Sequence, residues 1–415
     1  MKLSIMNIYL ALSLFVCSSQ GSASPPELSY RGRISTGSPG FLFLDKKDAD
    51  TPYQLFITSF GVLSGDAVKF VADVRGYISG NYAEGARVLT DKVTWPNEIL
   101  RAPQEVFGDD CFTIAGGFLV PTKSTGMIGL YDKNQKTLVS LTKSKSGYFY
   151  HRVVWADMNG DGKLDILTAR ATRPIFGTAG GELIWLEQPK DSRQVPWREH
   201  VITKGPDVNF VYEDIDGDGA NEIIAAQFFT KRLAILWKDG VAWKTRIIDD
   251  AIGSPFDVQL IDLNHDGKKE ILVTNHENVE SASGVFAYEI PSDIKHAAFR
   301  KHVILQGIKT LEPGFGKGSP GRAAAFYPYS DDLGNKPYIA VSGDGAQKAF
   351  MLMPATDRTD DFTYIPQVIM SVSKGPVGQI AISDVDGDGK AEIFIPAYGE
   401  DRIDIFTVNG NGNGS

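Results

Sequence analysis

The chain has 415 residues, 42% of them hydrophobic and 11% aromatic, which suffices for a large core and excludes a globally disordered protein. The formal net charge of −9 gives no sign of a basic surface, so we expect no nucleic-acid partner. Glycine (43 residues) and proline (21 residues) are frequent and no long amphipathic helical pattern occurs, which favours many short strands joined by turns.

The N-terminus, residues 1–23, has the pattern of a secretory signal peptide. Lys2 supplies a positive charge, Ile5 to Val16 form an apolar segment too short to span a bilayer, and small residues up to Ala23 suit a cleavage site. A buried N-terminal strand is the alternative. We therefore predict a secreted, extracellular protein without a membrane span.

The predicted mature domain, residues 24–408, is followed by a Gly/Asn-rich segment, 409–415, that predicts a flexible tail. The domain contains one cysteine, Cys111, so it cannot form an internal disulfide. Secreted proteins often rely on disulfides. The stability of this domain must therefore come from another source.

Apolar runs near the start of the mature domain predict the first strands. Residues Tyr30 to Ile34 have the pattern aromatic-basic-x-basic, and we interpret them as a strand. The segments 41–71 and 107–131 each fit several short strands. We interpret these two segments as degenerate copies of the repeat that follows them.

A clearer repeat occupies the middle and the end of the chain. An apolar run, an aspartate-rich loop and a second apolar run occur at 153–167 and again at 210–224, 258–272 and 380–394. Each of the first three copies is followed by a third apolar run and by a fourth with the aromatic-basic-x-basic pattern, as at 197–200. Four strands per repeat are typical of a propeller blade.

The spacing of the repeats indicates seven blades. The interval before the last copy is much longer than the others, and residues 321–353 fit a blade without an aspartate loop there. The last copy lacks a fourth strand, and Tyr30 to Ile34 supply the missing pattern, which would close the ring and leave no exposed sheet edge. We predict an all-β, seven-bladed β-propeller of four-stranded blades; an open solenoid or two sandwiches is the alternative.

The aspartate-rich loops have the composition of a calcium site. Side-chain oxygens occupy positions 1, 3, 5 and 9, glycine at position 6 permits a tight bend, and position 7 varies, as expected of a residue that offers its backbone carbonyl. Oxygen donors without sulfur or imidazole select calcium, so we expect about four structural Ca²⁺ ions. The predicted ligands are Asp157, Asn159, Asp161, Lys163 and Asp165; Asp214, Asp216, Asp218, Ala220 and Glu222; Asp262, Asn264, Asp266, Lys268 and Glu270; and Asp384, Asp386, Asp388, Lys390 and Glu392.

Other interpretations of the loops fit less well. An EF-hand needs a bidentate glutamate at position 12 and flanking helices, whereas position 12 here is Thr168, Ala225, Val273 or Ile395. A simple polar turn does not require the same four oxygens in four copies.

The loops carry three, four, three and four negative charges, 14 in all against a net charge of −9, so the remaining residues are net +5. Carboxylates about 4 Å apart repel by about 4 kcal/mol at an effective dielectric near 20, so these loops require a cation.

The loop pattern D-x-[DN]-x-D-G-x-x-[DE], often preceded by Gly-Pro or Gly-Ser-Pro as at 205–206, 253–255 and 375–376, resembles the FG-GAP/VCBS repeats of integrin α-chain-type propellers. The resemblance covers nearly the whole mature domain and implies a calcium-binding propeller. It does not select a function, because such propellers serve adhesion, carbohydrate binding and catalysis alike.

The face of the propeller opposite the aspartate loops is the expected ligand side. Aromatic, imidazole and carboxylate side chains should gather there and could hold a sugar or a second metal, although they could also be ordinary rim residues. They are Tyr148, Phe149, Tyr150, His151, Arg170, Arg173, Phe176, Gln227, Phe228, Asp257, Asn275, His276, Glu277, Tyr398 and Glu400.

Two functions from different classes fit these patterns. The first is a monomeric, non-catalytic extracellular binding, adhesion or matrix protein, with structural calcium and a glycan or protein ligand on the opposite face. The second rests on residues 151–157 (HRVVWAD), which resemble the start of the equivalent blade in propellers related to fungal aldos-2-ulose dehydratase. That resemblance implies a metal-dependent carbohydrate lyase or isomerase, with His151 and His276 as candidate catalytic metal ligands. No Ser/His/Asp signature, HExxH motif or phosphate-binding glycine loop is visible, and we favour the first function.

Overall fold

The computed structural model describes residues 27–409, apart from 63–64, 81–84, 121–122, 144–146, 173–177 and 312–315. The predicted signal peptide and the predicted tail after Asn409 lie outside the described residues. So do Arg173 and Phe176, which the sequence places on the opposite face.

The described residues form seven antiparallel sheets of four strands each, and every sheet is one blade of a β-propeller. The chain begins with β1 (Leu28–Ser35), which belongs to the last blade. Blade 1 contains β2 (Pro39–Asp45), β3 (Gln54–Ser59), β4 (Ala67–Val71) and β5 (Arg87–Thr90), and blade 2 contains β6 (Pro96–Arg101), β7 (Cys111–Gly116), β8 (Ile128–Asp132) and β9 (Thr137–Ser140). Blade 3 contains β10 (Tyr148–Ala156), β11 (Asp165–Thr172), β12 (Gly180–Glu187) and β13 (Arg198–Lys204), and blade 4 contains β14 (Phe210–Glu213), β15 (Glu222–Gln227), β16 (Arg232–Asp239) and β17 (Ala242–Asp249).

The last three blades repeat the same order. Blade 5 contains β18 (Pro255–Ile261), β19 (Glu270–Asn275), β20 (Gly284–Glu289) and β21 (Arg300–Gln306), and blade 6 contains β22 (Ala323–Phe326), β23 (Tyr338–Ser342), β24 (Lys348–Pro354) and β25 (Tyr364–Ser371). Blade 7 contains β26 (Ala381–Ser383), β27 (Glu392–Ala397), β28 (Arg402–Val408) and β1. The first strands of neighbouring blades contact one another, so they line the axis of the ring.

The N-terminal strand closes the ring, as the sequence predicts. β1 pairs antiparallel with β28 from Leu28 opposite Val408 to Ser35 opposite Arg402, and it forms the outermost strand of blade 7. A register shift lies between Tyr30 and Gly32. The first and the last segments of the domain therefore share one sheet, and the ring is continuous.

The core lies between neighbouring blades. The second strands of blades 4, 5 and 7 are buried at every residue, whereas the outer strand β21 is largely exposed or half-buried. Strands that are buried on both faces are expected to be continuous apolar runs, and each of these strands has at least three consecutive apolar residues after its first glutamate. One cluster joins Ile224 and Ile235 of blade 4 to Val258, Ile271 and Val273 of blade 5. Each sheet is thus covered by the sheets on both sides.

The three blades without an aspartate loop connect their first two strands in other ways. Blade 2 uses the short helix α1 (Gln104–Phe107), and blade 6 uses a 3-10 segment, Ser330–Gly334. The chain before that segment packs on the loop of blade 7, where the amide of Ser330 donates to the carbonyl of Gly389 at 2.9 Å. Blade 2 therefore begins at Pro96 and blade 6 ends at Ser371, beyond the segments 107–131 and 321–353 that the sequence indicates.

Helix is scarce in the described residues. Besides the helix of blade 2 and the 3-10 segment of blade 6, there is a four-residue helix, Arg75–Ile78, and there are two further 3-10 segments, Glu280–Ala282 and Tyr398–Glu400. None of the helices in the described ranges is long and apolar enough to cross a membrane.

The closing strand gives a first prediction. Ile34 of β1 is fully buried and packs with Ile403 and Ile405 of β28. Replacing a buried isoleucine by alanine costs about 2–5 kcal/mol, so Ile34→Ala should clearly lower the urea midpoint of unfolding. Val303→Ala is the matched control, because Val303 is 54% exposed on an outer strand, and it should change stability by about 0.5 kcal/mol at most. Equal losses in both variants would contradict the role of β1 in closing the ring.

Candidate functional site

The ring has two chemically distinct faces. The aspartate loops follow the first strand of blades 3, 4, 5 and 7 and lie together on one face. The first strands begin, and the second strands end, on the other face, which surrounds the mouth of the axial channel. We call the first the loop face and the second the mouth face.

Each aspartate loop is wound around the carboxylate at position 1. In blade 4, Asp214 accepts hydrogen bonds from the amides of Gly217 and Gly219 at 2.8 and 3.0 Å. In blade 7, Asp384 accepts the corresponding bonds at 2.7 and 3.0 Å. These bonds fix the loop backbone and direct the later side-chain oxygens towards the same space.

Carboxylate oxygens converge in two of the loops. Ligand atoms of Asp214, Asp216 and Asp218 lie within 4.8 Å of one another, and so do those of Asp384, Asp386 and Glu392. The loops of blades 3 and 5 carry an asparagine at position 3. The Oδ1 atoms of Asn159 and Asn264 accept the position-5 amide at 2.9 and 3.1 Å, and Asp216 and Asp386 accept the same amide at 3.2 Å. The four loops therefore share one geometry, in which the side chains at positions 1, 3, 5 and 9 offer oxygen atoms as metal ligands.

The acidic residue at position 9 is buried in all four loops. In blades 4, 5 and 7 one glutamate oxygen accepts the amide of position 2, at 2.8 to 3.0 Å, and the other oxygen of Glu392 accepts from the hydroxyl of Thr407 at 3.1 Å. Asp165 of blade 3 uses both of its oxygens, for the amides of Met158 and Gln188. Burial and the neighbouring carboxylates raise the pKa of Glu270 and of Glu392 to about 7. The position-9 side chains thus close the base of each loop.

The mouth face carries a belt of aromatic rings that spans six of the seven blades. The centroids of neighbouring rings lie 4.4 to 6.4 Å apart, from blade 7 through blade 1 to blade 5. At its end the imidazole of His276 lies 3.1 Å from Asp344 of blade 6, so the belt reaches all seven blades. Its members, in order around the mouth, are Tyr398, Phe60, Trp95, Phe118, Phe149, Phe229, Phe228, Phe256 and His276.

Some rings of this aromatic belt support it and others face outwards. Phe60, Trp95 and Phe149 are buried, and Trp95 is stacked between Phe60 and Phe118. Five other rings are half-buried and expose part of their surface to solvent: Phe118, Phe228, Phe229, Phe256 and Tyr398. The belt is therefore an apolar rim with accessible ring surface.

Acidic side chains hold the backbone of the aromatic belt. The fully buried Asp207 accepts the amides of Phe228 and Phe229 at 2.7 and 2.9 Å. Asp66 accepts the amide of Trp95 at 2.9 Å, and Trp95 has a positive φ of 43°. A bulky residue in the left-handed region is uncommon, and such backbone strain occurs preferentially at functional sites. The rings are thus positioned by groups that the core packing alone does not require.

Below the aromatic belt, the first strands direct polar side chains into a cavity of about 240 Å³. Arg152, Asp257 and Gln259 line it together with Arg322 and Gln379, and small side chains such as Ala324 complete its wall. Arg322 is 8% exposed, and its Nη1 and Nη2 donate to Gln379 and to Asn209 at 2.7 and 2.9 Å. We call this space the axial cavity.

Charged side chains of both signs lie in and beside the axial cavity. Glu98, which is 4% exposed, interacts electrostatically with Arg152 and Arg322 and accepts the amide of Val153 at 2.6 Å. Burial raises the pKa of Glu98 and of Asp257 although both arginines act against the rise. Two arginines thus face two acids whose charged forms are disfavoured by burial.

The two candidate histidines do not come together. His151 is 5% exposed, its ring contacts Phe149 edge-on at 5.2 Å, and burial, with Arg322 nearby, lowers its pKa to about 3. His276 lies in the aromatic belt beside Asp344. Within the described ranges, neither histidine belongs to a group of three His, Cys, Asp or Glu side chains whose ligand atoms converge.

The other residues expected at the mouth divide into two groups. Phe149, Phe228 and Tyr398 are in the aromatic belt, and Asp257 is in the axial cavity. The remaining residues are held in structural contacts. Arg170 forms ion pairs with Glu182 and Glu199, packs on the ring of Tyr148 and lies against the buried Tyr150.

The other four residues form hydrogen bonds to neighbouring groups. Asn275 donates to the carbonyls of Ile252 and Ala282, and Gln227 accepts from the hydroxyl of Thr230. Glu277 accepts from the amide of Ser254, and Glu400 accepts from the amide of Ser373.

Sequence reasoning missed Glu98, Arg152, Asn209, Arg322 and Gln379. All five lie on, or directly before, a first strand at its mouth end. A polar residue at that register in several blades is the signal that could have identified them.

Comparison with known proteins supports the fold. A family model described as FG-GAP-like repeat matches residues 214–273, from the loop of blade 4 into the second strand of blade 5. A solved structure titled "Crystal structure of glucose dehydrogenase" matches with 12% identity and a TM-score of 0.38, over 77% of this chain and 98% of that one. This likeness is too weak to bear on function. No curated protein matches the chain.

The closed ring of seven four-stranded blades defines a β-propeller. The stretch that matches the FG-GAP-like repeat model contains two of the aspartate loops, at 214–222 and 262–270, each between the first two strands of a blade.

The glycines at position 6 of the loops give a second prediction. Gly219 has a φ of +88° and open space around it, so Gly219→Ala introduces backbone strain without a clash. A left-handed conformation costs an alanine about 1–2 kcal/mol, so the melting temperature should fall, and chelator is present throughout to separate this strain from metal binding. Gly180→Ala is the control, because Gly180 also has open space but no positive φ. Equal melting temperatures for the two variants would contradict the loop conformation.

Proposed function

We propose that this protein is a secreted, calcium-binding propeller that binds a carbohydrate at its mouth face. Calcium is structural and lies on the loop face. The single observation that carries the proposed ligand site is the aromatic belt, because it surrounds the channel mouth with partly exposed rings. The N-terminal pattern at 1–23 supports export.

The aspartate loops fit calcium by their donor chemistry and by their shape. Asp384, Asp386 and Glu392 place oxygens within 4.8 Å of one another, and Asp388 and the carbonyl of Lys390 are the further expected ligands. Ca²⁺ takes six to eight oxygen ligands, which such a loop and water can provide. A bound ion would neutralise carboxylates that otherwise repel, and it would hold the first strand of a blade to the second.

Calcium therefore supplies a candidate source of stability in a domain whose one cysteine, Cys111, is buried and unpaired. At a calcium concentration about tenfold above Kd, each site would add about 1.4 kcal/mol. Four such sites would add several kcal/mol, which is a large share of the stability of a typical domain.

Calcium removal is the third prediction. Excess chelator should lower the melting temperature by many degrees, and calcium should restore it. Asp214→Ala should bind one Ca²⁺ fewer than the wild type in a calorimetric titration, because it removes the carboxylate around which the loop of blade 4 is wound. Asp357→Ala, at an exposed aspartate outside the loops, is the control and should bind the wild-type number. An unchanged melting curve in chelator, or no difference between the variants, would contradict structural calcium.

The aromatic belt suits a carbohydrate. Sugar rings present apolar C–H faces that pack on aromatic rings, and hydroxyls that need polar partners close by. Half-buried rings such as Phe118 and Phe228 can pack on the apolar faces of the sugar, and the polar side chains of the axial cavity can bind its hydroxyls. The rings also have buried supports, Phe149 and Asp207, so little ordering is needed on binding.

The alternative, a lyase or isomerase that uses a metal held by His151, has less support. Burial lowers the pKa of His151 to about 3, which keeps the imidazole neutral as a metal ligand requires. However, within the described residues His151 belongs to no group of three His, Cys, Asp or Glu side chains whose ligand atoms converge. The carbohydrate-binding function is therefore the one that the described geometry supports best.

Binding of the mature protein to a glycan array is the fourth prediction. We expect at least one glycan class to bind the wild type, and Phe228→Ala to weaken that binding about two- to tenfold, because an aromatic contact is worth about 0.5–1.5 kcal/mol. Tyr30→Ala is the matched control: Tyr30 is a 51% exposed aromatic residue on the outermost strand of blade 7, away from the mouth. The proposal fails if no glycan binds, or if the two variants bind alike.

A further inference from the structure

The axial cavity holds charged donors that the protein itself leaves unsatisfied. The Nε atoms of Arg322 and Arg152 are buried and have no hydrogen-bond partner among the described residues. Gln379 and Asn209 fix the other two nitrogens of Arg322, so its guanidinium cannot turn to satisfy the third. Asp257 lies 3.8 Å from the Arg322 Nε, which is too long for a hydrogen bond. A buried donor without a partner costs about 1–3 kcal/mol, more when it is charged, so this site is built for a molecule that enters it.

The charges of the axial cavity select the chemistry of that molecule. Arg152 and Arg322 can only donate hydrogen bonds, whereas the carboxyl of Asp257, which lines the same cavity, accepts them. A carboxylate or phosphate would face the carboxyl of Asp257, and an ammonium group would face the two arginines. A hydroxyl both donates and accepts, so a polyhydroxylated, uncharged group satisfies both sets of residues.

The size and position of the axial cavity limit the ligand further. Its volume of about 240 Å³ lies below the range of about 300–1,000 Å³ of pockets for drug-sized ligands, so it suits one sugar unit. The wall next to Arg322 consists of the small residues Ala323, Ala324 and Ala340. The guanidinium of Arg322 lies 5.5 Å from the ring of Phe41, and Phe41 contacts Phe60 of the aromatic belt at 5.5 Å. The axial cavity therefore continues inwards from the mouth.

We propose that the axial cavity binds the neutral terminal sugar unit of a glycan whose next units lie on the aromatic belt, so that the propeller recognises chain ends. Arg152 and Arg322 donate to the hydroxyls of that unit, and Asp257 accepts from them. This inference rests on the proposed carbohydrate function of the mouth face. It adds the position, the charge and the number of sugar units recognised at the axis.

The test uses the calcium-loaded mature protein and a panel of free monosaccharides, comprising neutral hexoses and pentoses, uronic acids and amino sugars, measured by calorimetry. A neutral monosaccharide should bind, and the uronic acid of the same configuration should bind at least tenfold more weakly. Ala324→Leu fills the axial cavity, and Asp257→Asn removes an acceptor with almost no change of shape; each should weaken binding at least tenfold. Ala242→Leu, at an exposed position on an outer strand, is the matched control and should bind as the wild type does. Circular dichroism melting curves identify any variant that fails to fold, and the other variant then decides.

The outcomes separate this inference from the proposed function. Weaker binding of both monosaccharide and array glycan in Ala324→Leu and Asp257→Asn supports recognition of a terminal unit. Wild-type glycan binding by both variants overturns the axial site and leaves the function of the aromatic belt standing. Monosaccharide binding that these variants abolish, without any glycan binding to the array, overturns the proposed function of the mouth and retains the axial site. Stronger binding of the uronic acid overturns the selection for an uncharged ligand.

Discussion

The pairing of β1 with β28 is the constraint on which the remaining structure depends. It places the two ends of the domain in one sheet, so blade 7 has four strands and each blade is covered on both faces. A closed ring fixes the seven first strands around one axis. Only because that ring is closed do Arg152 from blade 3 and Arg322 from blade 6 meet across a single cavity.

The two faces of the ring follow from the direction of the first strands. Where these strands end, short loops with Asp, Asn and Gly wind around one carboxylate each, and their oxygens converge. Where they begin, partly exposed rings surround the channel, and buried acids such as Asp207 hold the backbone beneath them. The first arrangement suits a hard cation, and the second suits a ligand with apolar faces and hydroxyls. Scaffold and recognition are therefore separated along the axis.

Much of the fold could be predicted from the sequence, because the aspartate loops and the aromatic-basic pattern are local signals. They gave the number of blades and the closing strand correctly. The extents of blades 1, 2 and 6 were missed, since none of these blades has the aspartate loop that marks a repeat. The axial cavity could not be predicted from local patterns. Glu98, Arg152 and Arg322 are far apart in the chain, and only the ring brings them together.

A crystal structure of the mature protein, grown with calcium and an oligosaccharide that it binds, would locate both kinds of ligand on the ring. We expect Ca²⁺ in the aspartate loops, sugar rings on Phe118 and Phe228, and the terminal unit beside Arg322 and Asp257. Oligosaccharide bound on the loop face or on the outer strands, with the aromatic belt and the axial cavity free of sugar, would contradict this expectation.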